Sequence, residues 1–147
     1  MLTIEFVGDK ETLHQVKLSL SSKLSLQFTG LSDKLTHSLR EWVNSYLNGS
    51  PQPFVPSQGT SFQTKVWAAL AQIPFGTTVS YQQLAQTIGS PQAVRAVGTA
   101  CGQNPFALLV PCHRVIRTDG TLGGFAYGLE VKQKLLDFER ELKSPLK

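Results

Sequence analysis

Residues 106–116 read FALLVPCHRVI, and the rest of the chain is organised around them. An uncharged apolar run leads into a thiol, an imidazole and a guanidinium in immediate succession. Such a run is normally buried, so it should carry Cys112 and His113 to the mouth of an interior pocket. Because adjacent cations and a positioned base lower the pKa of a thiol, Cys112 is a candidate nucleophile. The alternative is an ordinary buried cysteine.

The composition is that of a globular protein. The chain has 147 residues, of which 41% are hydrophobic and 16% are charged, enough to build a hydrophobic core. Its two cysteines give no disulfide framework, and neither a signal peptide nor a membrane-spanning run is recognisable, so we expect a reduced, cytoplasmic compartment.

The net charge of +4 is unevenly distributed. Residues 1–59 contain five basic and five acidic residues, whereas residues 60–147 contain nine basic and five acidic residues. The basic excess in the second part is compatible with a polyanionic partner.

Residues 1–57 are predicted to form a small α/β scaffold domain. Apolar and polar residues alternate in three segments, which predicts three short strands in an antiparallel sheet: residues 2–6, 16–20 and 24–28. Helical spacing follows, with Ser32 as the predicted N-cap and Gly49 at the C-terminal end. An uncharged stretch rich in proline and glycine then places the domain boundary near residue 57.

Residues 58–147 are predicted to form a mainly helical domain. Thr60 with Gln63, and Ser80 with Gln83, have the spacing of capping boxes, so a helix should begin after each. The predicted fold class is therefore α/β, in the α+β sense: a small sheet-plus-helix domain followed by a helical domain.

A helix-turn-helix is predicted between residues 80 and 102. Gly89 ends its first helix, and Ser90 is the expected N-cap of the second, with Pro91 at the first helical position. The same pattern also fits an ordinary helical hairpin. On a helical wheel Cys101 points inward as a structural thiol, whereas the opposite face carries one cation among small or short polar side chains: Gln92, Arg95, Ala96 and Thr99. So few long side chains favour sequence-independent or minor-groove contact with a duplex.

The segments after the cysteine suggest a pocket wall and a charge partner. A turn is predicted at residues 118–120, and the glycine-rich residues 123–128 form either a pocket wall or simply a long turn. In the last helix, predicted over residues 129–142, Glu139 falls on the apolar stripe, where an acid is costly unless it is paired. His113 is the only histidine in this part, so the sequence suggests that Glu139 orients His113, which takes the proton of Cys112 through a water.

Four blocks resemble the methylated-DNA–protein-cysteine methyltransferases, also called O(6)-alkylguanine-DNA alkyltransferases. The resemblance covers residues 60–140 with the spacing between blocks preserved; residues 1–57 match only loosely, as a ribonuclease-H-like domain. The blocks are Ser80-Tyr81-Gln82-Gln83-Leu84-Ala85, Arg95-Ala96-Val97-Gly98, Asn104-Pro105 with Pro111-Cys112-His113-Arg114-Val115, and Lys132, Leu135, Leu136 and Glu139.

The resemblance implies DNA repair by direct damage reversal in residues 58–147. Cys112 would take the alkyl group from O6-alkylguanine, and from O4-alkylthymine, irreversibly and once per molecule. His113 would be the water-mediated base and Glu139 its partner. Asn104 would brace the turn before the active-site segment, and Tyr81 would crowd the target phosphate and protonate the leaving guanine.

The resemblance also implies a DNA interface and a pocket. Arg95 would fill the space of the flipped nucleotide, because a stacked base hides its reactive atom. The other DNA contacts would be made by Tyr81, Gln82, Ser90, Ala96, Thr99 and Thr118. The alkyl pocket would be bordered by Pro111, Phe125, Ala126, Tyr127 and Lys132. We expect a monomer with no obligate protein partner, located at the nucleoid in a prokaryote.

Departures from the family pattern leave some points open. Members with a structural zinc hold it with N-terminal cysteines and histidines; residues 1–59 contain no cysteine, so we expect no metal and no cofactor. Phe125 stands where a tyrosine is common and Tyr127 where a small residue is common, which leaves tolerance for bulky adducts open. The alternatives are a non-catalytic alkyltransferase-like protein, a helix-turn-helix regulator with an incidental thiol, and a thiol hydrolase.

Overall fold

The N-terminal part builds a three-stranded sheet followed by a helix. The computed structural model describes residues 1–56 and 58–143, so the boundary predicted at residue 57 and the end of the second domain, residues 144–147, lie outside the described residues. Strands β1 (Leu2–Gly8), β2 (Leu13–Leu20) and β3 (Ser25–Thr29) precede helix α1 (Asp33–Leu47). As predicted, Ser32 caps α1 by accepting the Leu35 amide, and Gly49 ends it with a φ of 82°.

The sheet is mixed, which corrects the antiparallel prediction. Its order is β2-β1-β3; β1 pairs with β2 antiparallel, as predicted, but with β3 in parallel. After β2 the chain crosses the start of β1, where the Ser21 amide bonds to the Met1 carbonyl, and β3 then lies on the far side of β1. Alternation of apolar residues identifies strands but carries no information about their direction.

The C-terminal part contains the predicted helices around a short two-stranded sheet. Its elements are α2 (Ser61–Ala71), β4 (Val79–Ser80), α3 (Tyr81–Thr87), α4 (Val94–Gly102), a 3₁₀ turn (Cys112–Arg114), β5 (Val115–Ile116) and α5 (Leu129–Lys143). Both predicted capping boxes are present. The parallel pair β4–β5 sets the start of α3 beside the end of the 3₁₀ turn. The predicted mixed fold class is confirmed.

Ser90 is not the N-cap of α4, contrary to the prediction. Its amide bonds to the Ala85 carbonyl, and the Gly89 amide bonds to the Gln86 carbonyl, which is the Schellman pattern that ends α3. Ser90 therefore belongs to the end of the first helix. Residues 90–93 form a turn, and α4 begins at Val94 without a side-chain cap.

The apolar run before the cysteine joins the two parts of the molecule. Residues 106–110 are all buried, as predicted, within a core cluster that includes residues of β1, β2 and α1. The Val16 amide of β2 bonds to the Pro105 carbonyl at 2.8 Å, and Trp67 of α2 donates to the Ala100 carbonyl of α4. No helix among residues 1–56 and 58–143 is long and apolar enough to cross a membrane.

Candidate active site

Cys112 lines an open cleft of about 900 Å³. One wall comes from the helix pair, α3 and α4, and includes Tyr81, Arg95 and Cys101. The other wall comes from the glycine-rich loop, residues 123–128, and includes Phe125, Ala126 and Tyr127. Two residues predicted to border the pocket lie elsewhere: Pro111 and Lys132 are buried outside the lining. Pro111 immediately precedes the 3₁₀ turn, and Lys132 lies on the inner face of α5.

Asn104 holds the thiol and the segment that leads to it. Its Nδ2 donates to the Val110 carbonyl at 2.9 Å and lies 3.3 Å from the Sγ of Cys112, while its Oδ1 accepts the Phe106 amide at 2.9 Å. The predicted bracing contact is therefore present. Burial raises the pKa of the Cys112 thiol, and this outweighs the opposing effects of Asn104 and Lys132. The resting side chain is accordingly a neutral thiol.

His113 and Glu139 form the buried pair that the sequence predicted. The Nε2 of His113 lies 2.6 Å from the Oε2 of Glu139, and the two side chains are 0% and 1% exposed. Burial lowers the pKa of His113, although Glu139 acts in the opposite direction, so the imidazole is neutral near pH 7. Among the residues that the structure describes, His113 Nδ1 is the one buried side-chain nitrogen or oxygen that lacks a hydrogen-bond partner.

Glu139 has more partners than the sequence indicated. Its Oε1 accepts from the Arg114 Nε at 2.8 Å and from the Gly76 amide at 3.1 Å. Its Oε2 also accepts from the Tyr46 hydroxyl at 2.7 Å and from the Arg114 Nη2 at 3.2 Å. Burial raises the pKa of Glu139, but His113 and Arg114 outweigh it and hold the group well below its usual range. Glu139 is therefore a fixed anion.

Lys132 secures the glycine-rich loop from behind the cleft. Its ammonium donates to the carbonyls of Val115 at 2.7 Å, Leu122 at 2.5 Å and Gly124 at 3.3 Å. Burial lowers its pKa to about 8. The other side of the loop is tied to the N-terminal sheet, because the Tyr127 hydroxyl donates to the Val16 carbonyl of β2.

The outer face of α4 matches the sequence prediction. Gln92, just before the helix, and three helix residues are exposed: Arg95, Ala96 and Thr99. Arg117, which the sequence reasoning missed, is exposed and lines the cleft with Arg95. Two of the nine basic residues in this part, Arg114 and Lys132, are buried, so they add nothing to the positive surface that a polyanionic partner would meet.

The remaining predicted contact residues lie around the helix pair and the turn after β5. Gln82 is half-buried, and its Nε2 donates to the Pro91 carbonyl in the turn between α3 and α4. Ser90 lies half-buried in the same turn, and Thr118 is exposed in the predicted turn after β5. Within residues 1–56 and 58–143, no group of three or more His, Cys, Asp or Glu residues could hold a metal ion.

The fold and the site together define a protein that sets a buried thiol, with a hydrogen-bonded His–Glu pair, beside the helix pair α3 and α4. The sequence model for the DNA binding domain of 6-O-methylguanine DNA methyltransferase matches residues 61–141. The chain belongs to this family.

Relatives and solved structures of the family match different shares of the chain. A probable methylated-DNA–protein-cysteine methyltransferase of Acanthamoeba polyphaga mimivirus is 42% identical over 96% of this chain and 83% of its own length. The bifunctional transcriptional activator/DNA repair enzyme Ada of Escherichia coli is 57% identical over 84 residues, so the chain spans about a quarter of Ada. Mycobacterium tuberculosis OGT in complex with DNA superposes with a TM-score of 0.74 at 32% identity, over 97% of this chain and 96% of that one.

Proposed function

We propose that this protein repairs DNA by direct damage reversal, as a methylated-DNA–protein-cysteine methyltransferase. It transfers a methyl or other alkyl group from O6-alkylguanine, and from O4-alkylthymine, to Cys112. The observation that carries the proposal is the position of Cys112 in an open cleft between the helix pair and the glycine-rich loop, with the His113–Glu139 pair behind it. Membership of the family supports the choice of substrate.

The transfer is a displacement at the alkyl carbon. The Sγ of Cys112 forms a bond to that carbon while the bond from carbon to O6 of guanine breaks. The thiol proton moves to His113 Nδ1 through a water, which accounts for the one buried side-chain atom that lacks a partner in the described part of the chain. The resulting imidazolium is stabilised by Glu139. The product is a thioether, so each molecule reacts once.

Tyr81 returns a proton to the leaving guanine. Its ring lines the cleft, and burial raises the pKa of its hydroxyl to about 12, so the group is protonated at neutral pH and can donate. The family resemblance assigns the same residue to the target phosphate. After the transfer His113 holds the proton lost by Cys112 and Tyr81 is a phenolate; Tyr81 then regains a proton from solvent and His113 releases its proton to solvent, so the protons balance.

DNA contact is assigned to the helix pair, bound in the minor groove. The target base must leave the stack to reach a buried thiol, and Arg95, exposed on α4 beside the cleft, fills its place. Ala96 and Thr99 keep the helix surface slim enough to approach the duplex closely. Contacts to the sugar-phosphate backbone are assigned to Gln82, Ser90 and Thr118.

The pocket and the division of labour follow from the same proposal. Phe125, Ala126 and Tyr127 border the alkyl group, and Lys132 supports their loop rather than touching the substrate. Residues 1–57 form the scaffold domain and residues 58–147 the domain for DNA binding and alkyl transfer. The protein acts as a monomer without a cofactor, in the cytoplasm and at the nucleoid if its source is a prokaryote.

One experiment tests the activity directly. The protein is mixed with duplex DNA containing O6-methylguanine, and intact and peptide mass spectrometry follow the protein. We expect one added methyl group, on the peptide that contains Cys112, and none in Cys112→Ala. Repeated turnover, or transfer that persists in Cys112→Ala, would contradict the proposal. Lesion binding without transfer would instead favour the non-catalytic alkyltransferase-like class.

A further inference from the structure

Tyr46 brings the N-terminal part of the chain into the buried charge network. Its side chain is 3% exposed, and its hydroxyl donates to the Oε2 of Glu139 at 2.7 Å. The same oxygen lies 2.6 Å from His113 Nε2. Tyr46 lies 93 residues before Glu139, outside the residues that match the family's DNA-binding domain.

The packing of the ring does not by itself require the hydroxyl. The Tyr46 ring stacks on Trp42 at 5.7 Å and meets Phe75 and Phe138 at 5.4 and 5.6 Å, so a phenylalanine would fit the same aromatic cluster. Burying a hydroxyl is costly unless it has a partner, and its partner here is the carboxylate that holds the histidine.

We propose that Tyr46 is a positioning residue for alkyl transfer: its hydroxyl fixes the Glu139 carboxylate and limits the negative charge that this carboxylate offers to His113. The inference rests on the proposed function for its effect on transfer. It also extends the working unit beyond residues 58–147, because the base is held partly by a residue of α1.

The charges around His113 give the direction of the effect. Glu139 favours the imidazolium, whereas burial and the nearby Arg114 and Lys132 disfavour it; the Cys112 thiol is neutral. A hydroxyl that donates to Oε2 weakens the pull of Glu139 on the imidazolium. Without it, the pKa of His113 rises. Tyr46 thus keeps the imidazole neutral and ready to accept a proton.

Tyr46→Phe tests this with the ring retained. We expect the rate of methyl transfer to fall by about tenfold near pH 5. A higher pKa leaves more of His113 protonated at low pH, and a protonated imidazole cannot accept the thiol proton. The deficit should therefore shrink towards about pH 8.5, where His113 is neutral in both proteins. Trp42→Phe is the matched control. It alters the same cluster and loses the bond from Nε1 to the Gln52 carbonyl, but it does not touch Glu139. Its rate should be reduced little and equally at every pH.

A second readout does not depend on activity. In protein labelled at histidine, the His113 ring signal is identified by its loss in His113→Gln and followed by NMR against pH. We expect a higher pKa for His113 in Tyr46→Phe than in the wild type, and no such rise when Tyr46→Phe is added to Glu139→Gln, since the effect passes through that carboxylate.

The outcomes separate the inference from the proposed function. A rate deficit that is the same at every pH, together with an unchanged His113 titration, would show that Tyr46 only stabilises the fold and would overturn the inference. If the wild type transfers no methyl group, the proposed function fails, and the NMR titration alone still decides whether Tyr46 controls the His113–Glu139 pair.

Discussion

Cys112 and His113 are neighbours in the sequence but face two different regions of the molecule. His113 faces a closed network in which Glu139 is bonded to four residues from three segments of the chain: α1, the loop at Gly76 and the 3₁₀ turn. Cys112 faces an open cleft and, in the part of the chain that the structure describes, has one side-chain hydrogen-bond partner, Asn104. In the proposed reaction the proton acceptor is therefore fully arranged before DNA arrives, whereas the side that meets the substrate is completed by the damaged base.

The network around Glu139 and the cleft are also stabilised by different kinds of interaction. The network around Glu139 buries two cationic or cation-forming groups against one carboxylate, so loss of the carboxylate leaves charge without a partner. The cleft side relies on hydrogen bonds from Asn104, Lys132 and Tyr127 to backbone groups, without a buried ion pair of its own among the described residues. Substitutions should therefore cost most around Glu139 and least at the outer wall of the cleft.

The largest effect is expected from Glu139→Gln. The substitution leaves the buried Arg114 guanidinium without its anion, which should lower the free energy of unfolding by about 3–5 kcal/mol and abolish rapid methyl transfer. Urea unfolding and the transfer assay measure the two effects. Glu130→Gln, at an exposed position of the same helix, is the control. A loss of less than about 1 kcal/mol would contradict the expectation, because it would show that the network around Glu139 stabilises the fold no more than an exposed ion pair does.

The next effect concerns pH and Lys132. Its pKa is about 8 in the folded protein and about 10.5 in the unfolded chain, so the unfolded chain binds the proton more tightly between these values. The free energy of unfolding should therefore rise with pH across this interval, by about 3 kcal/mol in total from this group. Lys132→Met should lack that contribution, and Lys134→Met, exposed on the same helix, should keep it. Parallel pH curves for wild type and Lys132→Met would contradict the expectation.

On the cleft side, Asn104→Ala should lower the free energy of unfolding by about 2 kcal/mol, because it leaves the buried Phe106 amide and Val110 carbonyl without their side-chain partner. Transfer should slow as well, since the thiol loses its contact with Nδ2. Gln103→Ala removes an exposed neighbour as the control. If Asn104→Ala is as stable as the wild type but still transfers slowly, Asn104 acts on the Cys112 thiol rather than by holding residues 106–110 in place.

Local signals in the sequence were sufficient for the starts of α2 and α3. The capping boxes at Thr60 and Ser80 are set by residues three positions apart, and both are present. The parallel β1–β3 pair and the role of Ser90 were not predictable in this way. The direction of β3 depends on where the chain crosses the sheet. The role of Ser90 depends on whether its backbone ends α3 or its side chain caps α4, and the pattern of residues fits both.

The site shows the same limit. The Glu139–His113 pair was predictable because an acid on an apolar stripe needs a partner and one histidine was available. Tyr46 gave no signal, because an aromatic residue at helical spacing is equally typical of a plain core. Leu108 gave none either: it adopts a φ of 76°, rare for a residue with a side chain, inside the buried run. Such a conformation depends on the surrounding structure.

The smallest effect is expected at the outer wall of the cleft, from Tyr127→Phe. The hydroxyl is the link from this side chain to the Val16 carbonyl, and its loss should cost about 1 kcal/mol of stability. The loop can then move outward, so transfer from O6-benzylguanine should gain about threefold relative to O6-methylguanine. Phe125→Tyr, which adds a hydroxyl in the same loop, is the comparison. An unchanged ratio of the two rates would mean that the ring of Tyr127, and not its tie to the sheet, limits the size of the adduct.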